Sequence, residues 1–183
     1  MAPLRFLLDG PDNAACTVLL GHGAGAAMDS PAMDRIAAAL AGAGLRVARF
    51  EFAYMAARRD GQRKPPPRAE TLCPELEAAI EALSASGPLV IGGKSMGGRV
   101  ASLVADGLHA RGRIAGLLCL GYPFHPVGKP QQLRTAHLAT LRTPTLIVQG
   151  TRDPFGTRDE VASYALSPAI RLLWPKVVVA VLQ

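Results

Sequence analysis

LVIGGKSMGG, residues 89–98, decides how the rest of the chain is read. Apolar, β-prone Leu89, Val90 and Ile91 run into Lys94-Ser95 flanked by glycine pairs. Two chemistries share this outline. A phosphate-binding P-loop, G-x-x-x-x-G-K-[ST], wraps phosphate in the N–H groups of a glycine-rich loop. Counted back from Lys94, its first glycine belongs at Pro88, and Gly87 stands one position too early. Leu89, Val90 and Ile91 also fill the place of the loop, so nothing remains to cradle a phosphate. The other pattern is G-x-S-x-G, here Gly93-Lys94-Ser95-Met96-Gly97. In it a strand turns sharply through a strained serine into a helix, and small neighbours let strand and helix approach. The flanks agree: an apolar strand precedes the turn, and residues 96–105 read as a helix.

The same alternation extends along the chain. Residues 16–20, 45–52, 89–91, 114–120, 145–149 and 169–174 read as strands, most of them continuously apolar. Helical patterns fall at 33–44, 70–83, 96–105 and 157–164. Ser30-Pro31 supplies an N-cap and a first-turn proline. Leu72, Leu76, Ile80 and Leu83 recur at helical spacing. Apolar strands separated by helices predict an α/β fold, a mostly parallel sheet with helices on both faces. One domain over residues 1–183 is expected, with 174–183 an atypical tail and 177–182 either a strand or an exposed apolar end.

Composition narrows the class. The chain has 183 residues, 49% hydrophobic, with net charge +6. That is enough apolar material for a core and excludes a disordered chain. Part of the charge lies in MAARRDGQRKPPPR, residues 55–68. It reads as a solvated, proline-stiffened loop, and it lacks the aromatic residues that stack on bases, which disfavours nucleic acid. The three cysteines, Cys16, Cys73 and Cys119, show no C-x-x-C spacing. No disulfide framework or metal site is expected, and Cys16 and Cys119 read as buried thiols. The apolar run at the N-terminus is too short for a signal peptide, and no segment approaches the ~18 apolar residues of a membrane span. A cytoplasmic protein is expected. Nothing in the sequence speaks to its oligomeric state.

Candidate chemistry gathers around Ser95. Gly21-His22-Gly23-Ala24-Gly25 follows the strand at 16–20. Such a loop offers a backbone N–H, assigned to Ala24, to a developing oxyanion; the N–H of Met96, next to the nucleophile, is the second donor. His22 reads as a structural histidine pinning that loop. Asp153, in QGTRDPFG just past the strand at 145–149, stands where the acid of a Ser…Asp…His order belongs. A Ser-Lys pair of Ser95 with Lys94 is disfavoured, because adjacent side chains on such a turn point apart.

GHGAGAAMDSP, RFEFAYMAARR, IGGKSMGGR, GYPFHPVGKP and QGTRDPFGT together resemble the α/β-hydrolase superfamily. They are most similar to the dienelactone-hydrolase-like group that includes bacterial relatives of testis-expressed protein 30. The resemblance runs from about residue 21 to about residue 174. It implies a serine-hydrolase scaffold acting on an ester-like small molecule without a cofactor or metal, with Ser95 as nucleophile and Asp153 as acid. That family continues past its last strand into a loop carrying a histidine. Here RLLWPKVVVAVLQ stands instead, and no histidine follows His137. The expectation is an impaired hydrolase, or a non-catalytic binding protein that uses the basic segment as its surface. Of the remaining histidines, His125 in GYPFHP is the candidate substitute base, while His109 and His137 read as surface residues.

Overall fold

The computed structural model describes residues 4–62, 64–85 and 87–175. Its sheet has seven strands: β1 (Phe6–Asp9), β2 (Thr17–Gly21), β3 (Arg46–Phe50), β4 (Leu89–Lys94), β5 (Gly116–Leu120), β6 (Thr145–Val148) and β7 (Ile170–Leu173). Their order is β1-β3-β2-β4-β5-β6-β7. β1 pairs antiparallel with β3, and every other pair is parallel. The helices are α1 (Pro31–Gly42), α2 (Ala53–Arg59), α3 (Cys73–Ala82), α4 (Met96–Ala110) and α5 (Arg158–Ala162).

Alternation along the buried strands divides the core in two. Leu19, Ala48, Ile91, Leu117, Cys119 and Ile147 pack with Leu76 and Ile80 of α3 and Val100, Ala101 and Ala105 of α4. Their neighbours Val18, Leu20, Val47, Leu118 and Leu120 pack on Met33, Ile36 and Ala37 of α1. Both faces of the sheet are covered, so strands must be apolar on both sides; this is why they read as continuous runs. Each fully buried Leu or Ile contributes roughly 1.5–3 kcal/mol relative to exposure. The order in which strands are added to the sheet reverses between the parallel neighbours β2 and β4, where Gly21 and Gly93 stand in register. In such sheets a crevice opens beyond the strand ends at this switch point.

Several expectations need correction. β1 went unread because FLLD is short and becomes a strand only through its pairing with β3. The basic segment is not one loop. Its first part lies in α2, with Tyr54 and Met55 buried. The strand expected over 45–52 ends at Phe50, since Phe52 already caps α2. Ser30 precedes α1 as expected, but its hydroxyl makes no capping bond. The helix start therefore rests on Pro31 and on the Asp34 N–H to Ser30 carbonyl bond of 2.9 Å. Cys119 is buried, whereas Cys16 is half-buried. α5 is short, and its Thr157–Glu160 capping box sets where it begins. Residues 177–182 lie outside the described residues.

Candidate active site

Ser95 joins β4 to α4 with φ 49° and ψ −110°, and among the described residues no other non-glycine has a positive φ. Such a conformation costs on the order of 1–3 kcal/mol and persists only where its surroundings over-determine it. Here the Ser95 N–H donates to the Leu120 carbonyl at 2.9 Å, and the Ser95 carbonyl accepts the Arg99 N–H at 3.0 Å. The last strand bond and the first helix bond thus bracket one residue. Gly93 and Gly97 both lie against the Gly21 carbonyl, and a Cβ at either position would overlap it. That overlap explains the small residues of the motif.

The loop after β2 is fixed by His22, whose side chain is wholly buried. Its Nδ1 donates to the Gly23 carbonyl at 2.7 Å, and its Nε2 accepts the Phe52 N–H at 3.1 Å. This pairing requires a neutral ring, and burial lowers the His22 pKa accordingly. The Tyr54 hydroxyl donates to the Ala24 carbonyl at 3.0 Å and holds the loop from the other side. Neither the Ala24 N–H nor the Met96 N–H has an acceptor among the described residues. Ala24, Ser95 and Met96 line one cleft of about 590 Å³.

Asp153 follows β6 and accepts the Phe155 N–H at 2.9 Å. Its other oxygen lies against Gly121, where a Cβ would stand 3.5 Å away. Ser95 and Asp153 therefore both sit at the end of β5, one bonded to Leu120 and the other beside Gly121. Burial pushes the Asp153 pKa up, opposed by the Phe155 N–H and by the charges of Lys94 and His125. Lys94 is half-buried, and burial lowers its pKa against the opposing pull of Asp153.

All four histidines fall among the described residues, and none lines the cleft. His125 is buried, with Nδ1 2.8 Å from the Pro126 carbonyl and Nε2 3.6 Å from Glu160. The structure thus places it near Asp153 and Glu160, off the wall that carries Ser95. His109 Nδ1 lies 3.1 Å from the Ile114 carbonyl, at the end of α4. His137 is half-buried rather than fully exposed: its Nε2 lies 2.8 Å from the Ser102 hydroxyl, and burial lowers its pKa.

A family model described as an alpha/beta hydrolase domain matches residues 14–177. The chain belongs to the α/β-hydrolase family. This α/β-hydrolase is similar to a dienelactone hydrolase from Anabaena variabilis, at 24% identity and TM-score 0.71 over 94% of this chain and 79% of the other. It is also similar to an α/β serine hydrolase without a lid from Xanthomonas campestris, at 19% identity and TM-score 0.68 over 94% and 78%. A serine hydrolase homologue from Coxiella burnetii matches at 21% identity and TM-score 0.64 over 94% and 81%. These three likenesses carry the fold. Among the described residues of this α/β-hydrolase, no helix is long and apolar enough to cross a membrane. No group of three or more His, Cys, Asp and Glu among them is placed to hold a metal ion.

Some residues that shape this α/β-hydrolase cleft escape a sequence reading. Gln149 is wholly buried; it accepts the Tyr122 N–H at 2.7 Å and donates to the Tyr122 and Gly156 carbonyls at 3.2 and 3.3 Å. It clamps the loops after β5 and β6 together. Arg68, Arg99 and Arg134 also line the cleft. Their only local signal is positive charge, which does not distinguish a pocket wall from a solvated surface.

Proposed function

We propose that the chain is a serine hydrolase scaffold for esters or related acyl bonds. The observation that carries this reading is the strained Ser95 on the wall of a cleft also lined by Ala24 and Met96, whose N–H groups have no acceptor among the described residues. Ser95 Oγ attacks the acyl carbon, and the carbonyl oxygen takes up negative charge facing those two donors. The ester C–O bond then breaks, and the alcohol leaves with the serine proton. Water next cleaves the acyl-serine, releasing the acid and restoring Ser95. Asp153 is the acid whose partner would be a histidine between it and Ser95.

Residues 1–183 by themselves turn substrate over slowly in this reading. Each of their histidines has a ring nitrogen on a partner other than Ser95, although His125 Nε2 is itself without a hydrogen-bond partner among the described residues. A serine hydroxyl without a base is a poor nucleophile, and about 10³–10⁴-fold over water is what an oxyanion hole and binding alone retain. His125 is the nearest to a substitute because it lies beside Asp153. A fluorophosphonate probe tests the reading. Slow labelling that Ser95→Ala abolishes, and that speeds up when a histidine-bearing segment is joined after residue 175, supports it. Labelling unaffected by Ser95→Ala refutes the assignment of the nucleophile. Fast labelling of the native chain refutes the impairment and makes His125→Ala the next variant. A complete lack of labelling in every form supports a non-catalytic binding protein instead.

A further inference from the structure

Gln149 follows β6, where its own N–H still donates to the Leu173 carbonyl at 2.9 Å, and its side chain is wholly buried. A buried amide is costly unless its polar atoms are bonded. Here they are. Oε1 accepts the Tyr122 N–H at 2.7 Å, and Nε2 donates to the Tyr122 carbonyl at 3.2 Å and to the Gly156 carbonyl at 3.3 Å. Pairing of β5 with β6 runs to Leu120 and Val148, and the Gly121 N–H still donates to the Val148 carbonyl at 2.9 Å. One residue further, the side-chain amide takes over. It meets both the N–H and the carbonyl of Tyr122, as the backbone of a neighbouring strand would.

The two segments so joined flank the Asp153 carboxylate. On one side is Gly121, the residue before Tyr122, with Asp153 Oδ2 3.5 Å from the place of its Cβ. On the other is the turn 153–156. There Asp153 Oδ1 accepts the Phe155 N–H at 2.9 Å, and the Asp153 carbonyl accepts the Gly156 N–H at 3.0 Å. A Cβ at Gly156 would stand 2.7 Å from the Phe124 ring, so the turn rests directly on that ring. Tyr122 is a firm point of attachment. It is wholly buried, its ring packs edge-on against Phe124 with centroids 4.9 Å apart, and its hydroxyl donates to the Arg134 carbonyl at 3.1 Å. Burial weighs against the charged form of Asp153, and the Phe155 N–H favours it more than the charges of Lys94 and His125 do. That bond lasts only while the turn keeps its shape.

We infer that Gln149 is the positioning residue of Asp153: it ties the turn 153–156 to Tyr122 and so fixes the carboxylate between Gly121 and the Phe155 N–H. An acid orients a partner base only as well as it is itself held, and misplacement by about 1 Å can cost about 10²-fold in rate. That Asp153 serves as the acid rests on the proposed hydrolase reading; that Gln149 holds its carboxylate does not. The partners of the side chain are one donor and two acceptors, which an amide matches. An ionised glutamate has no hydrogen for either carbonyl, and methionine, of similar length, bonds none of the three.

NMR through an acid titration tests the tie. The Phe155 amide proton, bonded to the carboxylate, is expected to move downfield as Asp153 ionises, and Asp153→Asn to abolish that response. In Gln149→Met the response is expected to fall below half its native size. Ile147→Val, which loosens the same strand and spares the amide, is expected to keep it whole. A folded Gln149→Met protein with the full native response overturns the inference. An equal fall in Ile147→Val overturns it too, because any loosening of β6 would then move the carboxylate. If Gln149→Met does not fold, hydrogen exchange of the native protein decides. The Tyr122 and Phe155 amides are expected to share one opening, with protection factors within about threefold of each other. A Phe155 amide that exchanges more than tenfold faster than that of Tyr122 overturns the tie. Fluorophosphonate labelling that survives Ser95→Ala refutes the hydrolase reading and leaves the positioning of Asp153 to stand on the NMR result.

Discussion

His22→Ala separates a structural ring from a catalytic one. The ring is wholly buried and bridges the Gly23 carbonyl at 2.7 Å to the Phe52 N–H at 3.1 Å. It also packs edge-on against Phe52, with ring centroids 5.1 Å apart. Removing it strands buried backbone groups at about 1–3 kcal/mol each and leaves a cavity, a combined loss of about 3–5 kcal/mol. For a chain of this length each kcal/mol moves Tm by roughly 2–4 °C, so a drop of about 10 °C is expected in thermal unfolding followed by circular dichroism. Acid gives a second signature. The unfolded ring titrates near its ordinary value of 6.5, while burial holds the folded ring below that. Below pH 6.5 the unfolded state binds the extra proton, so His22 contributes full stability above that pH and progressively less beneath it. The Tm gap between native protein and His22→Ala should therefore narrow from pH 7.5 to pH 5. A variant with unchanged Tm whose Ser95 no longer labels would refute this account and put the ring in the chemistry.

Ser95→Gly should be about 1 kcal/mol more stable than Ser95→Ala in denaturant titrations, because glycine accepts the positive φ and alanine retains the strain. Asp153→Asn keeps an acceptor for the Phe155 N–H but cannot ionise. Burial raises the Asp153 pKa, so the ionised carboxylate costs stability at neutral pH. The variant should melt higher than native protein at pH 7, and the difference should close as pH falls toward the ordinary carboxyl value of 3.8. A constant difference across that range would show that the carboxylate carries no such cost. Arg59→Ala breaks the pairs with Glu51 at 2.6 Å and Asp29 at 2.8 Å. Arg59 is half-exposed but the Glu51 carboxylate is almost buried, so stranding it should cost about 1–3 kcal/mol in denaturant titrations; a loss below about 0.5 kcal/mol would mean that the pair behaves as an exposed one.

The turn at Ser95 was legible because its requirements are local. A strand, a serine flanked by glycines and a helix fit one another whatever lies further along the chain, and residues 89–105 state all three. The core strands were legible for a related reason: a strand covered on both faces must be apolar throughout. β1 was not, since a strand of four residues signals little until a partner edge is present. The basic segment misled because charge and prolines describe equally well a solvated loop, an exposed helix end and a pocket wall. The bond of half-buried His137 to Ser102 was equally hidden, since a polar residue in a connecting segment reveals its partner only through what packs on it.

What the sequence determined by itself is therefore the class of fold, the position of Ser95 on its turn, and the order in which the glycine-rich loop at 21–25, Ser95 and Asp153 follow their strands. These follow from periodicity and from the steric needs of short segments. Tertiary structure alone decided which groups meet. It brought Asp153 beside the end of β5 that also holds Ser95, gave each histidine a hydrogen-bond partner other than that serine, and gathered Arg68, Arg99 and Arg134 on one wall. The physical reason is that pairing across a sheet and burial of a side chain depend on residues distant in the chain, and no local pattern encodes that distance.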